Sequence, residues 1–229
     1  MIALILTFAL LGNVFAFLPR LVNLPAIEFL STSRELSENE DVQLYKESVV
    51  VVRGDTSKGT GFLISDNGYI MTNHHVIDDE SFLTVTFEEG ERYQADVIES
   101  DEELDIAILQ IELEETDHHV LEFADSWEPD LPVYVIGNPL FFNFIANEGQ
   151  LLGMREDGIL MLDAPIYRGN SGSPVINHDG KVVGVVYATS RVDYEGTQQK
   201  VGLIVSVEAF RDQIELVKSL SDTKNRIKS

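Results

Sequence analysis

Short runs of β-branched and apolar residues, separated by turn residues, fill most of the chain after residue 45. Dipeptides such as Asn67-Gly68 and Asp179-Gly180 stand between these runs, where glycine supplies the positive φ that a tight hairpin turn needs. This pattern predicts a largely antiparallel sheet in a sandwich or barrel. The predicted strands cover 48–53, 61–65, 69–72, 82–87, 104–111, 133–137 and 182–188.

The end of the chain departs from this pattern. After Ser206, a residue type that caps helices, apolar side chains fall at helical spacing. We therefore expect one C-terminal helix packed on the sheets, followed by a flexible tail over 221–229. The apolar positions are Val207, Phe210, Ile214, Val217 and Leu220.

The first residues predict export. The stretch 2–11 contains only Thr7 as a polar residue, and Val14-Phe15-Ala16 follows with small residues that suit a signal peptidase. Residues 1–16 are thus expected to be a signal peptide. Because no Lys or Arg precedes the apolar run and Arg20 follows it, an uncleaved membrane anchor over 1–18 stays open. Both alternatives place the protein in the periplasm or outside the cell.

The rest of the chain divides into two parts on composition. Residues 17–44 are polar and acid-rich without sustained periodicity, and we expect a tether there. Residues 45–220 are expected to form one domain, because a chain of 229 residues is long enough for a single double-barrel unit.

Charge and cysteine content exclude several functions. Sixteen Lys and Arg against 39 Asp and Glu give a formal charge of −23, which repels nucleic acid and anionic membrane surfaces. Because the chain has no cysteine, disulfides, thiol catalysis and thiolate zinc sites are also excluded. We expect no nucleic-acid partner and no cofactor.

One serine has the surroundings of a nucleophile. Gly169 and Gly172 flank Asn170-Ser171, and glycines allow the backbone to turn sharply so that a hydroxyl projects while amide N–H groups converge on a developing oxyanion. An ordinary Gly-Ser turn has the same composition. The motif is therefore informative only together with a base.

A base and an orienting carboxylate are available elsewhere. His74 and His75 follow the predicted strand 69–72, and a serine hydroxyl needs such a base to become nucleophilic. Solvated loop histidines and a metal-binding pair are the alternatives, but neighbours on extended backbone point to opposite sides, so we expect no metal. Asp105 begins a strongly apolar strand, where a carboxylate is costly to bury unless it has a partner.

The order His, Asp, Ser and the residues around each member resemble the trypsin-like serine proteases, most closely the protease domain of bacterial HtrA-type peptidases. The resemblance rests on five ordered segments, and it implies two antiparallel six-stranded β-barrels with a catalytic cleft between them. It assigns His75 as the base, Asp105 as its partner and Ser171 as the nucleophile. The segments are 59–65, 72–77, 104–109, 134–139 and 162–175.

Some residues depart from the HtrA pattern. Ser173-Pro174 is similar to the glutamyl-endopeptidase branch of the family, and many HtrA-type members carry a small residue in place of His74. The stretch after the predicted helix is too short for a PDZ domain, so the resemblance implies no PDZ-dependent regulation.

The family pattern also implies where substrate binds. It assigns the oxyanion hole to the amides of Gly169 and Ser171, and the primary pocket to Pro165 and Ile166, with Tyr187 in a wall. These pocket residues carry no charge, which predicts cleavage after small or medium aliphatic side chains. Arg168 and Arg191 leave positive charge near the entrance as an alternative.

Three functions fit these residues: an endopeptidase that forms an acyl-enzyme on polypeptide substrates, an inactive protease-like binding module, and an esterase with the same triad. The complete triad favours an enzyme. The sequence does not predict an oligomeric state.

Overall fold

A computed structural model describes residues 24–113, 118–194 and 196–228 of the chain. The predicted signal peptide, 1–16, and the alternative anchor, 1–18, lie outside the described residues. None of the helices within those three ranges is both long and apolar enough to cross a membrane.

The first half of the domain is a closed barrel of six antiparallel strands in the order β1-β2-β3-β6-β5-β4. Alternate residues such as Val50 and Val52 on β1 point into a core with Leu63, Ile70 and Leu109, as the period-two geometry of a strand requires. The strands are β1 (Val49–Arg53), β2 (Lys58–Leu63), β3 (Tyr69–Thr72), β4 (Leu83–Thr86), β5 (Arg92–Asp101) and β6 (Ile106–Ile111).

The second half is a barrel of the same kind. Its strands follow the order β11-β8-β9-β10-β13-β12, and pairing of β11 with β12 closes the ring. A two-residue strand, β7 (Glu122–Phe123), adds to β12 in parallel. The six barrel strands are β8 (Pro132–Gly137), β9 (Ile145–Met154), β10 (Leu160–Asp163), β11 (Pro174–Asn177), β12 (Lys181–Tyr194) and β13 (Thr197–Ser206). The predicted fold of two antiparallel six-stranded barrels is confirmed.

An apolar cluster joins the two barrels. Phe62 and Met71 of the first barrel pack in one continuous core with Ile136 and Val185 of the second. All four side chains are fully buried, so the two barrels are held together by closely packed side chains beneath the cleft.

The N-terminal tether prediction is wrong for its described part. Residues within 17–44 form helix α1 (Leu24–Leu36) and the start of α2 (Glu40–Ser48), whose N-cap Asn39 accepts a hydrogen bond from the Asp41 amide at 2.8 Å. Phe29 of α1 is buried, with its ring centroid 4.9 Å from that of Tyr167. The packed part of the chain therefore begins before residue 45, and its buried side chains are too sparse to give a periodic signal.

The C-terminal helix is present, but its bounds differ from the prediction. Helix α4 spans Arg211–Lys228, so the tail predicted at 221–229 is helical over most of its length. Polar contacts explain the extension: Ser221 Oγ lies 2.8 Å from Ser65 Oγ, and Asn225 Oδ1 accepts from Asn67 Nδ2 at 3.2 Å. The spacing of apolar residues in the sequence could not predict these polar contacts, so the predicted helix ended too early.

Candidate active site

The turn that carries His75 is fixed to the first barrel. Strand β3 ends at the buried Thr72, whose hydroxyl donates to the Thr60 carbonyl oxygen at 2.7 Å. Asn73 then donates from Nδ2 to the Asp105 carbonyl oxygen at 2.7 Å, and the one-turn helix α3 (His74–Ile77) follows. This arrangement holds the histidine turn against the loop that leads into β6.

Asp105 binds His75 through both carboxylate oxygens. Oδ2 lies 2.7 Å from His75 Nδ1, and Oδ1 accepts the His75 backbone N–H at 2.9 Å. Asp105 has a φ of 55°, a left-handed conformation that Asp adopts more readily than most residues. With the Nδ1 proton directed at the carboxylate, Nε2 is left as the acceptor of a proton.

His74 has different partners. Its Nδ1 lies 2.7 Å from Ser100 Oγ, and its Nε2 lies 3.9 Å from Asp78 Oδ1. The two rings therefore diverge, although the predicted reason is wrong, because residues 74–77 form a helical turn rather than extended backbone.

The loop between β10 and β11 presents Ser171. Gly172, with φ of 83°, admits no side chain, since a Cβ atom there would lie 1.9 Å from the Thr60 carbonyl oxygen. This close approach lets Thr60 donate its amide to the Ser171 carbonyl oxygen at 2.8 Å and its hydroxyl to the Gly169 carbonyl oxygen at 2.7 Å. The serine loop of the second barrel is thus docked on β2, beside β3, which ends at Thr72.

The Ser171 hydroxyl donates a long hydrogen bond of 3.4 Å to the Tyr187 carbonyl oxygen and makes none to His75. Catalytic hydrogen bonds are often long or absent without substrate and tighten in the complex. The His75 side chain is 46% exposed, so its ring faces the open cleft rather than the core.

The amides of Gly169 and Ser171 are the ones that the family resemblance assigns to an oxyanion hole. The Arg168 carbonyl oxygen accepts the Leu140 amide at 2.7 Å. Because C=O and N–H point in opposite directions across a trans peptide, the Gly169 N–H is directed away from Leu140. Neither the Gly169 nor the Ser171 N–H has an acceptor among the described residues, which leaves both free for a developing negative charge.

A cavity of about 230 Å³ opens beside Ser171. Of the residues that the family resemblance assigns to the primary pocket, Ile166 and Tyr187 line this cavity and Pro165 does not. Burial raises the pKa of Tyr187, with a smaller contribution from Asp157, so its phenol stays neutral. The complete lining is Ile166, Tyr167, Arg168, Ser171, Val186, Tyr187, Ala188, Thr189 and Lys200.

Lys200 is a lining residue that the sequence did not single out. It lies on β13, 29 positions after Ser171, and no local motif surrounds it. Of the two arginines considered at the entrance, Arg168 lines the cavity and Arg191 does not. Within the described ranges, no group of three or more His, Asp or Glu side chains is placed to hold a metal ion.

Comparison with known proteins places this arrangement in context. Residues 59–185 match the family model of the trypsin-like peptidase domain. The chain is 29% identical over 232 residues to a protein of Rickettsia prowazekii named "Probable periplasmic serine endoprotease DegP-like", covering 88% of this chain and 45% of that protein. A protein of the same name from Chlamydia trachomatis is 32% identical over 139 residues, covering 57% of this chain and 28% of its own length.

Solved structures are also similar. The active form of the Rv3671c protease from M. tuberculosis superposes with a TM-score of 0.66 at 26% identity, over 79% of this chain and 85% of that one. The serine endoprotease from Yersinia pestis gives a TM-score of 0.65 at 26% identity, over 80% and 65% of the two chains. The chain spans less than half the length of the two curated relatives.

Proposed function

This chain belongs to the trypsin-like peptidase family, and from that premise we propose that it is a serine endopeptidase with His75, Asp105 and Ser171 as its catalytic triad. The observation that carries the proposal is the double contact of Asp105 with His75, at 2.7 and 2.9 Å, next to a docked serine loop with two unpaired amides.

In the proposed reaction, the Ser171 oxygen attacks the carbonyl carbon of a peptide bond while His75 Nε2 takes the hydroxyl proton. The N–H groups of Gly169 and Ser171 bind the oxygen that becomes negative. His75 then gives its proton to the leaving amine, the C–N bond breaks, and an acyl-enzyme remains. Water, activated by the same histidine, attacks the ester and releases Ser171.

We further propose that Ile166, Val186 and Ala188 receive the aliphatic part of the substrate side chain that precedes the cut bond. Ile166 and Val186 are almost fully buried, and all three residues line the cavity beside Ser171. The periplasmic names of the two curated relatives and the apolar stretch 2–11 support export of this chain.

A fluorophosphonate probe tests the function directly. We expect covalent labelling at Ser171, located by peptide mapping, and cleavage of an unfolded protein substrate by the same preparation. Turnover of small esters without any peptide cleavage would assign the chain to the acyl hydrolases instead. Absence of labelling in a folded sample would make it a protease-like binding module.

Changing Asp105 to asparagine is expected to lower kcat by about 10⁴-fold, because an amide donor at this position favours the wrong imidazole tautomer. Glu103→Gln is the matched control, since Glu103 is exposed in the same turn and has no contact with His75. Peptide hydrolysis by the two purified variants at equal concentration checks the expectation. A similar loss in both variants would contradict the special role of Asp105.

A further inference from the structure

The side chain of Lys200 is held at the wall of the cavity beside Ser171. Lys200 pairs with Arg191 across strands β12 and β13, and its neighbour Val201 points into the barrel core. The ammonium group donates to the Ile166 carbonyl oxygen at 2.8 Å and lies 5.3 Å from the centroid of the Tyr167 ring. Because Ile166 and Tyr167 both line the cavity, these contacts fix a positive charge there.

This charge has no carboxylate partner. Among the described residues, no Asp or Glu lies within 4.0 Å of the cationic groups of Lys200 or Arg168, although the whole chain has 39 acidic residues. An ammonium group has three donors, and the Ile166 carbonyl accepts one of them. The cavity therefore offers donors and a positive charge that have no ion-pair partner among the described residues.

The cavity has the size of a single side chain. Its volume of about 230 Å³ is below the roughly 300–1,000 Å³ of sites that bind whole small molecules. Its walls are apolar at Ile166, Val186 and Ala188, and the cation stands at one side. A side chain with methylene groups and a carboxylate tip matches both parts.

We propose that Lys200 makes this pocket selective for glutamate as the residue that precedes the cut bond, an inference that rests on the proposed peptidase function. The glutamate methylenes contact the apolar walls, and the carboxylate accepts hydrogen bonds from Lys200 Nζ. A preference for a side chain that has aliphatic methylenes and an anionic end thereby replaces the preference for small or medium aliphatic side chains that was predicted from Pro165 and Ile166.

The charge of −23 opposes an acidic substrate only at long range. At an ionic strength of about 0.15 M the Debye length is about 8 Å, so distant surface acids are largely screened, while a direct contact at the partly buried cavity wall is screened much less. The local cation therefore decides the selectivity under these conditions.

The test compares full-chain protein on peptides that differ only in the residue before the cut: Glu, Gln, Leu or Lys. We expect kcat/KM for Glu to exceed that for Gln by about 10- to 100-fold, the effect of a hydrogen bond to a charged group. Lys200→Met should reduce this ratio to about one, and Lys200→Glu should favour the Lys peptide over the Glu peptide.

Arg191→Gln is the matched control, because it removes the same charge from the paired position on β12 without altering the cavity wall. It should keep the Glu over Gln ratio. Cleavage of the Leu peptide with a ratio at or below one in the unmodified protein would overturn the Lys200 inference and leave the peptidase function standing. Equal loss of the ratio in Arg191→Gln would also overturn it, whereas no cleavage and no fluorophosphonate labelling would overturn the proposed function itself.

Discussion

Ser171→Ala is expected to lower kcat for peptide hydrolysis by about 10⁶-fold, the loss found when the nucleophile of such a triad is removed. The fold should persist, because the hydroxyl makes only a 3.4 Å contact with the Tyr187 carbonyl oxygen, whereas the backbone contacts of Ser171 with Thr60 remain. Single-turnover and steady-state assays of the purified variant, with its Tm, measure both effects.

Ser173→Ala is the control for this change. Ser173 lies two positions away in the same loop, its side chain is buried, and its hydroxyl has no hydrogen-bond partner. Removal of an unsatisfied buried hydroxyl costs little, so this variant should retain most of the activity. Residual hydrolysis by Ser171→Ala within about tenfold of the unmodified protein would exclude Ser171 as the nucleophile.

The second large effect is expected at His75. His75→Ala removes the proposed base for the serine proton, and kcat should again fall by about 10⁶-fold. The double variant with Ser171→Ala should be no worse than either single variant, because the two groups act as one unit. Non-additive losses in this cycle are the signature of a shared catalytic step.

His74→Ala provides the contrast within the same turn. It removes the contact with Ser100 Oγ and the long one with Asp78, a loss of about 1 kcal/mol in the free energy of unfolding. Peptide hydrolysis should be largely retained in the folded variant. An inactive but folded His74→Ala protein, next to an active His75→Ala protein, would show that the base is His74.

The parts of the site that depend on short sequence spans were predictable. Asn73 to His75 follow a strand, Asp105 precedes one, and Gly169 to Gly172 form a turn, so each feature is encoded within a few residues. Strands with continuous apolar runs, such as β3, were predicted with their observed bounds. In contrast, β5 (Arg92–Asp101) is rich in acids and exposed on most positions, which hides its strand character.

Features that depend on distant contacts were not predictable in the same way. Lys200 reaches the cavity because β13 runs beside β12. Its ammonium group also donates a hydrogen bond to the carbonyl oxygen of Ile166, 34 residues earlier. Helix α1 is stabilised by burial of Phe29 against Tyr167 and by Ser33 Oγ, which accepts the Ala146 amide at 3.1 Å. The position of Lys200 and the stability of helix α1 both depend on tertiary packing. Neither can therefore be predicted from local periodicity or composition.

Thr60 belongs to the first barrel by its strand and to the second by its hydrogen bonds. Its amide proton, donated to the Ser171 carbonyl oxygen, is protected from exchange with deuterium until the serine loop detaches from β2. Exchange at this amide therefore reports the opening that disassembles the site. Any partial unfolding that detaches one barrel breaks this bond, so we expect proteolytic activity only from molecules in which both barrels are folded.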